Sequence, residues 1–302
     1  MVSGLETRVL GRTGLNVTRL GYGAMEVRGF PKGRPIVGTQ ADTILNAVLD
    51  AGINYIDTSI DYGSSEYYIG EYISHRRSEY YLASKCGCPP VNDATAEEHV
   101  YTRENIVIGV NRSLKRMKTD YLDVVQLHTS PSLKAIEDGN VVQGLLDLKK
   151  EGKVRFLACS SWLPNLADHV AMDVFDLFQI DYSGLSRQNE EWISRAAATG
   201  AGTVIRGGVA RGEPGEGMGT DDAWRKFGEA GLDELREEGE SRTAFLLRFT
   251  LSHPDVHTTI VGTRNPDHLL ENVRTAAKGP LQPGVYEEAK RRLAVAGLKP
   301  AS

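Results

Sequence analysis

Cysteine is scarce in this chain, no apolar run is long enough for a membrane, and positive charge is not in surplus. Three cysteines among 302 residues, Cys86, Cys88 and Cys159, are too few for a disulfide framework. Cys86 and Cys88 stand two apart with no second ligand pair at zinc-like spacing, so no metal is expected. No apolar run approaches the roughly 20 residues that span a bilayer. A net charge of -5 leaves no basic excess to neutralise phosphates, which argues against binding to nucleic acid or to an anionic membrane. The opening Met1-Val2-Ser3-Gly4-Leu5-Glu6 lacks the charged and apolar regions of a signal peptide. A reduced, cytoplasmic protein with a small-molecule partner is therefore expected. Its oligomeric state is not readable.

What the chain does have is rhythm. Thr7–Leu10 and Leu15–Thr18, joined across Gly11-Arg12-Thr13-Gly14, read as a β-hairpin. Eight short apolar runs follow, near Leu20–Met25, Ile53–Thr58, Tyr80–Lys85, Asp123–His128, Val154–Ser160, Leu177–Tyr182, Thr203–Arg206 and Thr258–Val261. Between them lie amphipathic segments at 40–51, 103–117, 141–151, 189–199, 241–252 and 266–275. In the segment 103–117, Ile106, Val110, Leu114 and Met117 recur at helical spacing behind a Thr102 cap. Alternating strands and helices imply a parallel sheet with helical crossovers. Eight units without a linker-like break predict one α/β domain over residues 1–302, a (β/α)8 TIM barrel with an N-terminal β-hairpin. An open doubly wound sheet is the competing arrangement. Residues 211–240, rich in glycine and acid, form a long loop after strand 7 of the barrel; Met218 and Trp224 there either close over a ligand or pack the loop down.

Polar groups sit where several of these runs end. Asp57 ends one, and Tyr62 follows five residues later beside the turn residue Gly63. Lys85 and His128 end the next two runs. Singly, each has a plain reading: a helix cap, a surface tyrosine, a solvated lysine, a structural histidine. In a barrel, however, the C-terminal ends of the strands converge on one cleft, so the four should meet. Together they suit proton transfer to a carbonyl oxygen while hydride reaches its carbon. Tyrosine is a poor acid near neutrality, and a nearby lysine ammonium would favour the phenolate and lower that barrier. The partly desolvated lysine would need a carboxylate, which Asp57 supplies. His128 would orient or polarise the substrate oxygen.

On Asp57-x4-Tyr62, the strand-ending Lys85, Leu127-His128 and the opening Leu10-Gly11-Arg12-Thr13-Gly14-Leu15-Asn16-Val17, the chain resembles the aldo-keto reductases over nearly its whole length. That resemblance implies a catalytic tetrad of Asp57, Tyr62, Lys85 and His128, ordered binding of NADP(H), and hydride transfer from its nicotinamide to an aldehyde or ketone. It also implies a cofactor site. Ser160 matches the family's carboxamide-binding serine, while Ser161-Trp162 replaces its Asn-Phe. Gln179 matches the carboxamide glutamine, and Tyr182 would stack on the nicotinamide or else pack at the barrel rim. Gly23, Ala24 and Met25 at the end of the first barrel run belong to the same set. Arg206-Gly207-Gly208-Val209 departs from the family's Tyr-Ser-Pro-Leu, although its glycines allow backbone to approach phosphate and Arg211 could pair with it. Thr263 and Arg264 would hold the adenosine 2′-phosphate, with Glu271 and Asn272 at the adenine; Gly262 and His268, the latter where the family often carries Gln or Arg, belong to the same cofactor set. Arg264 is the reason to expect NADPH over NADH, because a guanidinium suits a phosphate.

The resulting expectation is an NADPH-dependent carbonyl reductase. Two alternatives stand beside it: an NADP-binding regulatory subunit, as the family's channel-associated β subunits are, and an alcohol or sugar dehydrogenase. A chain that starts directly at the hairpin speaks against the regulatory role, and the substrate itself is not named by the sequence.

Overall fold

Strand residues point alternately to opposite faces, and that period of two builds this core. The computed structural model describes residues 4–29, 33–89 and 98–301. Among them, β1 (Thr7–Val9) and β2 (Asn16–Thr18) pair antiparallel, Thr7 opposite Thr18. Eight further strands pair in parallel: β3 (Leu20–Gly23), β4 (Tyr55–Asp57), β5 (Tyr81–Cys86), β6 (Leu122–Leu127), β7 (Val154–Ser161), β8 (Leu177–Asp181), β9 (Gly202–Arg206) and β10 (Thr258–Val261). β10 pairs with both β9 and β3, so the sheet closes on itself and leaves no edge. The fold is the expected (β/α)8 barrel, and the open sheet is ruled out.

The helices lie close to their sequence expectations, including Gly38–Asp50, Arg103–Met117, Val141–Lys150, Glu190–Ala198, Arg242–Ser252 and Pro266–Lys278. Thr102 and Asn265 cap two of them, their side-chain oxygens accepting from the backbone N–H of Asn105 and Asp267. A C-terminal helix, Pro283–Val295, is absent from the sequence reading. Its signals are Pro283 in the first turn and the buried Tyr286, Ala289 and Leu293 at helical spacing. Among the described residues, no helix is long and apolar enough to cross a membrane.

Two inward layers matter for function. The lower one holds Tyr55, Ala83, Val124, Ala158, Leu177 and Val204, packed against Leu10, Leu15 and Val17 of the hairpin. The hairpin thus plugs the barrel floor; a side chain on Gly11, whose φ is 50°, would collide with the backbone of Gly202. Moving two residues along each strand gives the upper layer: Asp57, Lys85, Gln126, Ser160, Gln179 and Arg206. Hydrophobic contact fills the floor, so the polar layer occupies the C-terminal end, where the loops converge.

Candidate active site

Asp57 is the hub of the upper layer. Its Oδ1 accepts from Lys85 Nζ at 2.5 Å, and its Oδ2 accepts from Gln126 Nε2 at 2.6 Å and Gln179 Nε2 at 2.8 Å. Lys85 also donates to the Thr58 carbonyl at 2.8 Å, and Ser160 Oγ donates to Gln179 Oε1 at 3.3 Å. The Asp57 and Lys85 side chains are only 2% and 1% exposed, so neither charge is stabilised by water. Each is held by the other and by neutral dipoles, which is what a buried pair requires. Gln126 is missing from the sequence reading. Its signal is register: it stands two residues beyond the inward Val124 on β6, as Asp57 stands beyond Tyr55.

Tyr62 enters from the loop after β4. Lys85 Nζ lies 4.7 Å from the centroid of its ring, and the His128 ring meets it edge-on at 5.9 Å between centroids. Burial tends to lower the Lys85 pKa, but Asp57 and Tyr62 outweigh it and hold the ammonium above its usual range. Burial raises the Tyr62 pKa above its ordinary value; Lys85 pulls it down and Asp57 pushes it back up. The expected pull of Lys85 toward the phenolate is present, but burial outweighs it and the phenol keeps its proton at neutral pH. Burial, reinforced by Lys85, pushes the His128 imidazole down to about 3, with Asp61 opposing, so the ring is neutral near pH 7.

On the far side of His128 lies a group with no counterpart in the sequence reading. His128 Nδ1 is 3.3 Å from Cys88 Sγ, 3.1 Å from His99 Nε2 and 3.6 Å from Asp61 Oδ2. Cys86 and Cys88, adjacent in the C-x-C reading, part company here. Cys86 lies outside the barrel wall and donates to the Gln126 carbonyl, while Gly87, at φ 75°, breaks the alternation and turns Cys88 toward His128.

A cleft of about 470 Å³ opens above the upper layer. Asp57, Tyr62 and His128 line it, with Lys85 beneath them. Fourteen residues expected at a cofactor line it as well: Gly23, Met25, Ser160, Gln179, Arg206, Gly207, Gly208, Val209, Arg211, Gly262, Thr263, His268, Glu271 and Asn272. The model for the aldo/keto reductase family matches residues 19–291. This chain belongs to the aldo/keto reductase family. Its architecture is similar to that of the aldo-keto reductase AKR11C1 from Bacillus halodurans in its holo form, with a TM-score of 0.84, 27% identity, and coverage of 99% of this chain and 97% of that one. In sequence it is similar to YqkF of Bacillus subtilis, an uncharacterised oxidoreductase, at 28% identity over 90% of this chain and 91% of the relative. It is also similar to L-galactose dehydrogenase of Arabidopsis thaliana, at 26% identity over 89% and 87%.

Aldo/keto reductases use a nicotinamide cofactor, and the cleft fits one. Gly207 has φ 74°, and a Cβ there would come within 2.7 Å of Asp181 Oδ1; a Cβ on Gly262 would come within 2.6 Å of the Gly23 carbonyl. Gly207, Gly208 and Gly262 line the cleft beside Arg206 and Arg211, and residues without side chains let backbone come close to a diphosphate. Ser160 and Gln179 offer the hydroxyl and amide that a carboxamide needs.

Four expected cofactor residues of this aldo/keto reductase lie outside the cleft. Tyr182 shares the outward parity of Phe178 and Ile180; it is fully buried against Phe249, His253 and Tyr286, so its stacking role is withdrawn. Parity also turns Ser161 away from the inward Ser160, to meet His169 Nδ1 at 2.7 Å. Ala24 is buried, with its carbonyl accepting from Ser65. Arg264 Nη1 donates to the Pro35 carbonyl at 2.5 Å, placing the guanidinium at the rim. Of the two loop residues left open by the sequence, Trp224 packs the loop down by stacking on Phe227, and Met218 faces the cleft. The loop itself carries a helix, Asp221–Glu229. Glu26, Arg34 and Asp181 line the cleft without having been expected there.

Proposed function

We propose that this aldo/keto reductase reduces an aldehyde or ketone to the alcohol with NADPH, using Tyr62 as the general acid. The observation that carries this reading is the buried Lys85 ammonium, 2.5 Å from Asp57 Oδ1 and 4.7 Å from the Tyr62 ring centroid, at the base of the cleft. Bound nicotinamide supplies the hydride that the carbonyl carbon accepts. Tyr62 gives its hydroxyl proton to the carbonyl oxygen as the C=O π pair settles there. The phenolate left behind faces Lys85, and at an effective dielectric near 20 a unit charge about 4 Å away stabilises it by roughly 4 kcal/mol. Asp57, held by Gln126 and Gln179, fixes the ammonium in place. His128, neutral, presents a ring N–H that can orient the same oxygen. Ser160 and the second N–H of Gln179 serve the carboxamide. Thr263 and Arg264 serve the 2′-phosphate; among the described residues Arg264 uses one of its five donors on Pro35.

A second reading is oxidation of a sugar by the same groups in reverse. Polar lining from Glu26, Arg34, Asp181 and Glu213 favours it, as does the likeness to L-galactose dehydrogenase. The test is absorbance-monitored NADPH oxidation with aryl aldehydes, diketones and aldoses, and NADP+ reduction with sugars, each beside Tyr62→Phe. Turnover that falls by about 10²-fold or more in the mutant, with NADPH affinity kept, supports the mechanism. A fully active Tyr62→Phe enzyme would sink it.

A further inference from the structure

Three consecutive loops at the C-terminal face bring Asp61, Cys88, His99 and His128 together, and one ligand atom from each lies within 4.8 Å of all the others. We propose that these four side chains bind one divalent ion of the zinc class. A tetrahedral zinc site with bonds of about 2.0–2.3 Å has edges of about 3.3–3.8 Å between its ligand atoms. Four of the six separations straddle that range: His99 Nε2 to His128 Nδ1 is 3.1 Å, Cys88 Sγ to His128 Nδ1 is 3.3 Å, Asp61 Oδ2 to His128 Nδ1 is 3.6 Å, and Asp61 Oδ2 to His99 Nε2 is 4.0 Å. The remaining two, from Cys88 Sγ to His99 Nε2 and to Asp61 Oδ2, lie within 4.8 Å, so side-chain adjustments of up to about an ångström would seat the ion.

The donor set selects the metal. Two imidazole nitrogens, a thiolate and a carboxylate suit zinc or cobalt; magnesium and calcium need a shell of oxygens. Thiolate and carboxylate together cancel the ion's double charge, so the loaded site is neutral beside Lys85, where the empty site carries the single charge of Asp61. Binding is not a redox event: the Cys88 S–H bond breaks, its proton goes to solvent, and a metal–sulfur bond forms.

The surroundings hold the ligands in orientation. Asp61 Oδ1 accepts from Ser59 Oγ at 2.5 Å, leaving Oδ2 toward the two histidines. Tyr101 stacks on the His99 ring and donates to the His128 carbonyl at 2.5 Å. Cys88 is 3% exposed, and the other three side chains are 14–18% exposed, which leaves an entry path. Such supporting contacts are what fixed metal ligands require.

One consequence rests on the proposed reductase mechanism. A metal on Nδ1 obliges the neutral His128 ring to carry its proton on Nε2, the nitrogen left to serve the cleft.

Metal binding can be measured without substrate or cofactor, so its failure leaves the reductase reading untouched. Chelator-stripped protein would be titrated with Co2+ and then with Zn2+. One equivalent of Co2+, a thiolate-to-cobalt charge-transfer band and tetrahedral d–d intensity, all displaced by Zn2+, are expected. Cys88→Ser should abolish the charge-transfer band, and His99→Ala should weaken binding by about tenfold or more. If Cys88→Ser fails to fold by circular dichroism, His99→Gln, at a part-exposed position, carries the affinity arm. No stoichiometric binding overturns the proposal; so does binding without the band, or binding indifferent to both substitutions.

Discussion

Lys85 Nζ lies 2.5 Å from Asp57 Oδ1 in a layer where both side chains are almost fully buried. The two partners are not equally dependent on the contact. Asp57 keeps two amide donors if the lysine is lost, whereas Lys85 keeps the Thr58 carbonyl and the protonated Tyr62 but loses its counter-charge if the carboxylate is lost.

Asp57→Asn should therefore destabilise the protein more than Lys85→Met does. Removing one partner of a buried pair costs about 3–5 kcal/mol when the other is stranded. Denaturant unfolding of both variants checks this, and a larger loss for Lys85→Met would mean that Asp57 is not supported by Gln126 and Gln179.

Arg264→Ala should weaken NADPH binding by about 1.5–3 kcal/mol, roughly ten- to 150-fold, and leave NADH binding nearly unchanged. Fluorescence titration with each dinucleotide decides it. Equal losses would move the 2′-phosphate to another cation of the cleft, such as Arg211.

Tyr182→Phe removes a hydroxyl whose contact is Tyr286 Oη at 3.3 Å, on the outer side of the barrel wall. NADPH affinity should stay within about twofold, and stability should drop by about 1 kcal/mol. A tenfold loss of affinity would place the hydroxyl at the cofactor after all.

Acid should destabilise the fold before its carboxylates titrate. Burial lowers the pKa values of His169, His253 and His257 below their ordinary value. Between the unfolded value of about 6.5 and the lower native ones, the unfolded chain binds more protons. Stability is therefore intact above about pH 6.5 and falls as pH drops, by up to about 1.4 kcal/mol per pH unit for each histidine. Unfolding midpoints between pH 7 and pH 5 report it, and a flat profile would place these rings in water.

The strands and most helices were legible because their signals are local. Short apolar runs alternating with amphipathic segments gave the eight barrel strands, and the spacing of Ile106, Val110, Leu114 and Met117 gave a helix that matches its expected bounds. No expectation covers the C-terminal helix, even though its first-turn proline and its period are present. Asp57, Lys85 and His128 could be placed on one face because each ends a strand run, and a barrel collects strand ends.

Parity decided much of the rest. Tyr182 and Ser161 were assigned by matching motifs, but each follows an inward residue by an odd number of positions and so faces the helices. Counting from Leu177 and Ala158 would have shown this in the sequence itself. The same count predicts Gln126.

By itself, the sequence determined which segments are strands and helices, because hydrophobic periodicity acts over a few residues. It also determined which polar groups stand at strand ends. Only the closed barrel decided what those groups touch. Burial raised the Tyr62 pKa against the pull of Lys85, and loop geometry brought Cys88 and His99 to within 3.3 Å and 3.1 Å of His128 from 40 and 29 residues away. Such separations depend on how the chain returns to itself, and no local pattern carries that information.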